Sequence, residues 1–98
     1  MTGQTHSATL NRRTCLFEGR VQGVGFRYTA KNIAMQFDVG GYVRNLPDGR
    51  VELVIEGPEE EMDHMLQSIN QRMNGFIKKF NQSQGPGTGE FGHFAIRH

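Results

Sequence analysis

Apolar residues in the first half of the chain change their spacing in an orderly way. Through Thr14–Val21 they alternate with polar residues, which is the two-residue period of a half-buried strand. The spacing then becomes helical, and one face carries Phe26, Ala30, Ile33, Ala34 and Phe37. The paired glycines of Asp38–Gly41 predict the end of this helix, because glycine accepts the backbone angles that a helix exit requires.

The stretch Gly41–Gly57 reads as a hairpin of two strands. Pro47, Asp48 and Gly49 supply its turn, since proline fixes one torsion angle and glycine adopts positive φ. Pro58 suits the first turn of a second helix, and the acidic residues that follow it complement the helix dipole. The apolar stripe predicted for that helix is Met62, Met65, Leu66, Ile69 and Met73.

Two further strands are predicted near the end of the chain. Gly75 marks the end of the second helix, Phe76–Phe80 forms a short fourth strand and Phe91–Arg97 forms a fifth. The polar, glycine-rich Asn81–Glu90 between them is predicted to be a mobile connection.

The order β-α-β-β-α-β with an extra C-terminal strand predicts an α+β fold. Right-handed crossovers make this the ferredoxin-like sandwich, a mostly antiparallel sheet with both helices on one face. Many unrelated activities use this fold, so the fold alone does not indicate a function.

The length of 98 residues suffices for one domain with one core. We expect residues 1–13 to be a flexible polar tail and residues 14–98 to be the domain. The longest apolar runs are only a few residues, so no membrane span and no signal peptide are expected. The single cysteine, Cys15, is expected to be a buried thiol, which makes the reducing cytoplasm the default compartment.

Charge and histidine content narrow the function classes. A net charge of +1 argues against a protein that binds nucleic acid by charge alone. The histidines show no metal-ligand spacing, so no metal site is predicted from His6, His64, His93 and His98.

The most unusual segment is the glycine-rich loop Gly19–Arg27, "GRVQGVGFR", which leads into the first helix. Glycines let consecutive N–H groups turn toward one point, and the positive helix N-terminus favours an anion there. Arg27 adds a planar fork of donors for a phosphate. The loop does not match the phosphate loop of nucleotide-binding proteins or the dinucleotide-binding pattern. From loop chemistry alone, a phosphate cradle and a plain tight turn with a solvated Arg27 remain open.

A second candidate residue is Asn45, at the end of the second strand. Its amide carries a donor and an acceptor, so it can hold a water molecule in one orientation. Asparagine ahead of Pro-Asp-Gly is also a natural turn residue, and taken alone Asn45 favours this interpretation.

The two segments together resemble the acylphosphatase family. Its paired signatures have the form G-x-V-Q-G-V-x-F-R and G-x-V-x-N-x-x-D-G-x-V-E, and every fixed position is present in Gly19–Arg27 and Gly41–Glu52. The resemblance covers about residues 15–97. The chain departs from the family pattern before the fourth strand, at "MNGFIKKF", and in the connection Asn81–Glu90.

The resemblance implies a small enzyme, without metal or cofactor, that hydrolyses the carboxyl-phosphate bond of acyl phosphates. Arg27 would bind the phosphoryl oxygens and Asn45 would orient the attacking water. A monomer acting on a small molecule is the expectation from the family. The main-chain N–H groups implied in phosphate binding are those of Gln22, Gly23, Val24, Gly25, Phe26 and Arg27.

Other functions on the same fold remain to be distinguished. One is a non-catalytic phosphate-sensing or protein-interaction domain that keeps the cradle. Another is an RNA-binding module, which the lack of aromatic residues in Arg50–Gly57 disfavours. A third is a stand-alone relative of the acylphosphatase-like domains of carbamoyl-handling maturation proteins.

Overall fold

The computed structural model describes residues 10–98 of the chain. Its elements are β1 (Asn11–Gly19), α1 (Phe26–Ala34), β2 (Gly40–Asn45), β3 (Val51–Gly57), α2 (Glu59–Arg72), β4 (Ile77–Pro86) and β5 (Phe94–Arg97). They form one five-stranded sheet in the order β4-β1-β3-β2-β5. All pairings are antiparallel except that of β2 with β5. The predicted ferredoxin-like α+β fold with an extra C-terminal strand is confirmed.

One apolar core lies between the sheet and the two helices. The inward side chains of the strands alternate with outward ones, so that Cys15 pairs with Leu53 and Val43 pairs with the same residue from the other side. The predicted stripes of both helices are buried, apart from the half-buried Phe37. The helix residues in this core are Phe26, Ala30, Ile33, Ala34, Met62, Met65, Leu66 and Ile69.

The first strand begins earlier than the sequence predicted. Residues 11–13 were assigned to the polar tail, but they lie in β1, where Asn11 pairs with Gly57. Arg13 is only 6% exposed, because its guanidinium donates to the carboxylates of Glu59 and Asp63 in the first two turns of α2. Because Arg13 is charged, the sequence pattern did not show that it occupies an inward position of β1. The rest of the predicted tail, residues 1–9, lies outside the described residues.

The first helix also ends earlier than predicted, at Ala34, and the paired glycines are not its exit. Gly40 and Gly41 lie in β2 instead. Gly41 has φ +142°, and a Cβ there would lie 1.9 Å from the Val54 carbonyl oxygen. The glycine thus allows β2 to approach β3 closely.

The predicted mobile connection Asn81–Glu90 is wrong for its first six residues. Asn81–Pro86 continue β4 and pair with β1 in register, from Leu16↔Asn81 to Asn11↔Pro86. The strand lies at the edge of the sheet, and its polar side chains in this half are mostly exposed. Without a buried face it shows no alternation of apolar and polar residues, so the sequence pattern did not reveal it.

The remaining part of that connection is fixed by Glu56, a carboxylate on β3 that is 5% exposed. Glu56 accepts hydrogen bonds from Arg12 Nε at 2.7 Å and from the backbone N–H groups of Thr88 and Gly89, both at 2.9 Å. Burial alone would raise the pKa of Glu56, but these donors outweigh burial and hold the pKa below its ordinary value of 4.5.

No helix within residues 10–98 is long and apolar enough to cross a membrane.

Replacement of Glu56 tests how the connection is held. Because the folded pKa lies below the unfolded one, the charged Glu56 stabilises the fold above about pH 4.5, and this contribution is lost as pH falls through the folded pKa. We expect Glu56→Gln to lower the free energy of unfolding by about 1–3 kcal/mol at pH 7. The difference from wild type should shrink at pH 3, as measured by urea denaturation.

The exposed neighbour Glu90 provides the control. It also accepts from Arg12, at 2.5 Å, but its side chain is largely exposed, so Glu90→Gln should change stability little at either pH. A Glu56→Gln deficit of equal size at pH 7 and pH 3 would contradict the assignment to the charged carboxylate.

Candidate active site

The loop between β1 and α1 has the backbone that its glycines predict. Gly23 has φ +77° and Gly25 has φ +79°, both in the left-handed region that favours glycine. Nothing lies within 4 Å of where their Cβ atoms would be, so both face open space. Gly25 is the residue immediately before α1, and the loop therefore delivers its backbone to the start of that helix.

The N-terminus of α1 carries no group that would pair with its free amides or neutralise its positive end. No side chain caps it, and its first turn contains no acidic residue. The N–H of Thr29 bonds to the Gly25 carbonyl oxygen at 2.9 Å, and the amides before Thr29 have no partner within the helix. The other helix differs, because α2 begins with Glu59, Glu60 and Glu61. The positive end of α1 is thus free to interact with an anion.

A side chain of the loop ties it to the β2–β3 turn. Gln22 Nε2 donates to the carbonyl oxygens of Leu46 at 2.8 Å and Arg50 at 2.9 Å. The sequence had indicated only the backbone of Gln22, because nothing in the local pattern shows that its side chain reaches residues more than twenty positions away.

These elements enclose a cavity of about 150 Å³. It brings together Arg27 from α1 and Asn45 from the end of β2, the two residues that the sequence singled out. Of the predicted loop, Gln22 and Val24 do not line it; the former bonds to the turn and the latter packs against the core. Tyr28 and Val21 were not predicted to take part. The lining residues are Val21, Gly23, Gly25, Phe26, Arg27, Tyr28 and Asn45.

Arg27 is half-buried, and the C-terminal end of the chain contacts it. Its Nη1 donates to the Arg97 carbonyl oxygen at 3.3 Å and lies 3.2 Å from His98 Nδ1. Within residues 10–98, its Nε and Nη2 make no hydrogen bond. The guanidinium therefore keeps donors available for a ligand in the cavity.

Asn45 is the last residue of β2, opposite Val51, and its side chain is half-buried. Two nearby arginines are engaged elsewhere: Arg44 pairs with Glu52 at 2.6 Å, and Arg50 pairs with Asp48 at 2.9 Å. Among the residues that line the cavity, Arg27 therefore supplies the guanidinium and Asn45 supplies a neutral amide.

The cavity offers donors and no metal-ligating cluster. Residues 10–98 contain no group of three or more His, Cys, Asp or Glu side chains placed to hold a metal ion. The lining is cationic or neutral, so the arrangement suits an anion whose oxygens can accept several hydrogen bonds.

A larger cavity, about 560 Å³, lies at the opposite end of the sheet. It is formed near the start of β1 and the end of β3, with Leu10, Val39 and Phe91 in its wall. Its buried carboxylate, Glu56, already has its hydrogen-bond partners within the fold. A choice by volume alone would therefore select this cavity, whereas the hydrogen-bond donors converge in the smaller cavity around Arg27.

Comparison with known proteins gives a consistent result. A family model described as Acylphosphatase matches residues 13–96. An acylphosphatase of Thermus thermophilus is 48% identical over 60 residues, which are 61% of this chain and 68% of the relative. One from Nocardia farcinica is 33% identical over 89 residues, covering 86% of this chain and 89% of the relative.

A solved structure extends the match to the backbone. The crystal structure of an acylphosphatase from Bacillus subtilis is 31% identical, with a TM-score of 0.78, and the match covers 91% of this chain and 99% of that one.

The Gln22 side chain gives a test of the loop. Gln22→Ala removes both donors to the turn and leaves two carbonyl oxygens without their partner, so we expect a stability loss of about 1 kcal/mol. The loop should also hold its amides less well, and the affinity for inorganic phosphate should fall several-fold in an NMR titration. The matched control is Gln67→Ala, an exposed glutamine on α2, which should change neither property. Equal behaviour of the two variants would contradict a positioning role for Gln22.

Proposed function

The chain belongs to the acylphosphatase family, and from that premise we propose that it hydrolyses acyl phosphates to a carboxylate and inorganic phosphate. The observation that carries the proposal is the small cavity at the uncapped start of α1. There, one arginine and one asparagine converge from two different elements. A plain tight turn would require neither of these side chains.

The phosphoryl group is bound by the start of α1 and by Arg27. Backbone N–H groups of the loop Gln22–Arg27 donate to its oxygens, and the helix dipole favours its charge. The planar guanidinium grips two oxygens at once, as an ammonium group cannot. Because phosphoryl transfer spreads charge over three equatorial oxygens, these donors stabilise the transition state as well as the bound substrate.

The leaving group explains why few residues suffice. An acyl phosphate expels a carboxylate, whose conjugate acid has a pKa of about 4, so it departs without a proton. No general acid is needed, and the protein's task is to position the reactants and to stabilise charge. Asn45 orients the water for in-line attack on phosphorus through its amide donor and acceptor.

The proposal extends to the state and location of the protein. Lys78 and Lys79 are exposed on the edge strand β4, where charged side chains disfavour pairing with another chain, so we expect a monomer. Cys15 is fully buried, and burial raises the pKa of its thiol to about 12. An unreactive lone thiol fits the cytoplasm. We expect the substrate to be a small molecule, and we expect no nucleic-acid or membrane partner.

The direct test is release of phosphate from acetyl phosphate by the purified protein in the presence of EDTA. Turnover that the chelator does not change is expected. A well-folded protein that binds phosphate without turnover would instead favour the non-catalytic phosphate-sensing or protein-interaction function.

Replacement of Arg27 tests the phosphate contact. Arg27→Ala should lower kcat/KM for acetyl phosphate by roughly 10²–10³-fold and weaken inhibition by inorganic phosphate. Arg27→Lys should also be poor, since its point charge cannot donate in a planar fork. Arg72→Ala, at an exposed position in the last turn of α2, is the control and should match wild type. Full activity of Arg27→Lys would argue that charge alone is sufficient.

Replacement of Asn45 separates binding from turnover. Asn45→Ala should lower kcat roughly 10²-fold, because the water loses its orientation, while the inhibition constant of inorganic phosphate stays near the wild-type value. Asn74→Ala removes an exposed amide at the end of α2 and serves as the control. Weaker phosphate binding with unchanged kcat would contradict the role assigned to Asn45.

A further inference from the structure

The size of the cavity raises the question of where the acyl group lies. At about 150 Å³, the cavity is well below the 300–1,000 Å³ of pockets that enclose a drug-sized ligand. It is therefore a site for the phosphoryl group and its water, with the acyl group extending beyond it. In-line displacement also places the acyl oxygen on the side of phosphorus away from the attacking water.

Few of the lining residues can contact an acyl group that extends out of the cavity. Val21 and Phe26 are buried in the core, and the two glycines have no side chain. Arg27 and Asn45 are assigned to the phosphoryl oxygens and the water. The remaining side chain is Tyr28, which is 70% exposed and directly follows Arg27 in the first turn of α1.

We propose that Tyr28 contacts the acyl group and gives the enzyme a preference for acyl phosphates with a planar aromatic acyl group. The inference rests on the proposed function and adds a substrate class to it. A tyrosine ring at the rim of a polar cavity offers an apolar face that a benzoyl group can stack on, whereas an acetyl group is too small to cover it. Tyr28 thereby acts on specificity, while Arg27 and Asn45 act on the reacting phosphorus.

The exposure of Tyr28 supports this role. Among residues 10–98, the large hydrophobic side chains that remain exposed are Leu10, Tyr28 and Met35, and only Tyr28 lines the cavity of the candidate site. Within the same part of the chain, its hydroxyl makes no hydrogen bond and its ring packs on no other aromatic ring, so the ring is available to a ligand.

The size of the effect follows from the strength of an aromatic contact. Offset-stacked aromatic pairs contribute about 0.5–1.5 kcal/mol, which corresponds to roughly 3- to 10-fold in an equilibrium constant. Because stacking exists in the bound substrate as well as in the transition state, it acts on KM more than on kcat.

The experiment compares benzoyl phosphate with acetyl phosphate in four proteins: wild type, Tyr28→Ala, Tyr28→Phe and Met35→Ala. Tyr28→Ala should lose roughly 3- to 10-fold in kcat/KM for benzoyl phosphate, mainly through KM, and keep its acetyl phosphate kinetics. Tyr28→Phe keeps the ring and should retain the wild-type ratio of the two substrates. Met35→Ala removes an exposed apolar side chain at the far end of the same helix and should match wild type.

Several outcomes would overturn the inference. An equal loss on both substrates would show that Tyr28 acts through the phosphate cradle, and a Tyr28→Phe variant that behaves like Tyr28→Ala would assign the effect to the hydroxyl group. An unchanged ratio of kcat/KM for the two substrates in Tyr28→Ala would show that Tyr28 does not contact the acyl group.

A binding measurement separates this inference from the proposed function. Benzylphosphonate and methylphosphonate cannot be hydrolysed, and the ratio of their affinities should fall in Tyr28→Ala whether or not the protein turns over. Wild type that hydrolyses neither acyl phosphate, but binds benzylphosphonate through Tyr28, would contradict only the proposed activity. An affinity ratio that Tyr28→Ala leaves unchanged would contradict only the acyl contact.

Discussion

The site depends on an electrostatic constraint, the uncompensated positive end of α1. A helix N-terminus without a cap or an acidic residue leaves amides unpaired, and this arrangement lacks the stabilisation that capping supplies. In this chain the loop glycines and the Gln22 side chain hold that end in place against the β2–β3 turn. The unpaired donors are thereby kept for a ligand instead of being satisfied within the fold.

The fold supplies the second half of the site through its strand order. Because α1 crosses from β1 to β2 with β3 between them, the start of the helix and the end of β2 meet at one end of the sheet. Gly41 lets β2 approach β3, and Asn45 ends that strand. At the opposite end, Arg13 and Glu56 fix α2 and the β4–β5 connection. The ion pairs of the buried Arg13 and Glu56 are thus separated along the sheet from the donors for the ligand.

The sequence predicted the parts of the molecule that depend on local pattern. The alternation in β1, the stripes of both helices and the Pro47–Gly49 turn each follow from neighbouring residues, and the loop motifs indicated Arg27 and Asn45. It missed features that depend on distant partners: the buried Arg13, the polar edge strand Asn81–Pro86 and the Gln22 side chain. Tyr28 lies just beyond the loop motif, and no periodicity distinguishes it from a solvated helix residue.

The most direct test of the account is to hydrolyse acetyl phosphate in water enriched in oxygen-18 and to locate the label by mass spectrometry. A cavity that holds the phosphoryl group at the start of α1 directs the water to phosphorus, so the label should appear in inorganic phosphate and be absent from acetate. Label in the acetate would mean attack at the acyl carbon, and it would contradict the arrangement of Arg27, Asn45 and the loop amides around phosphorus.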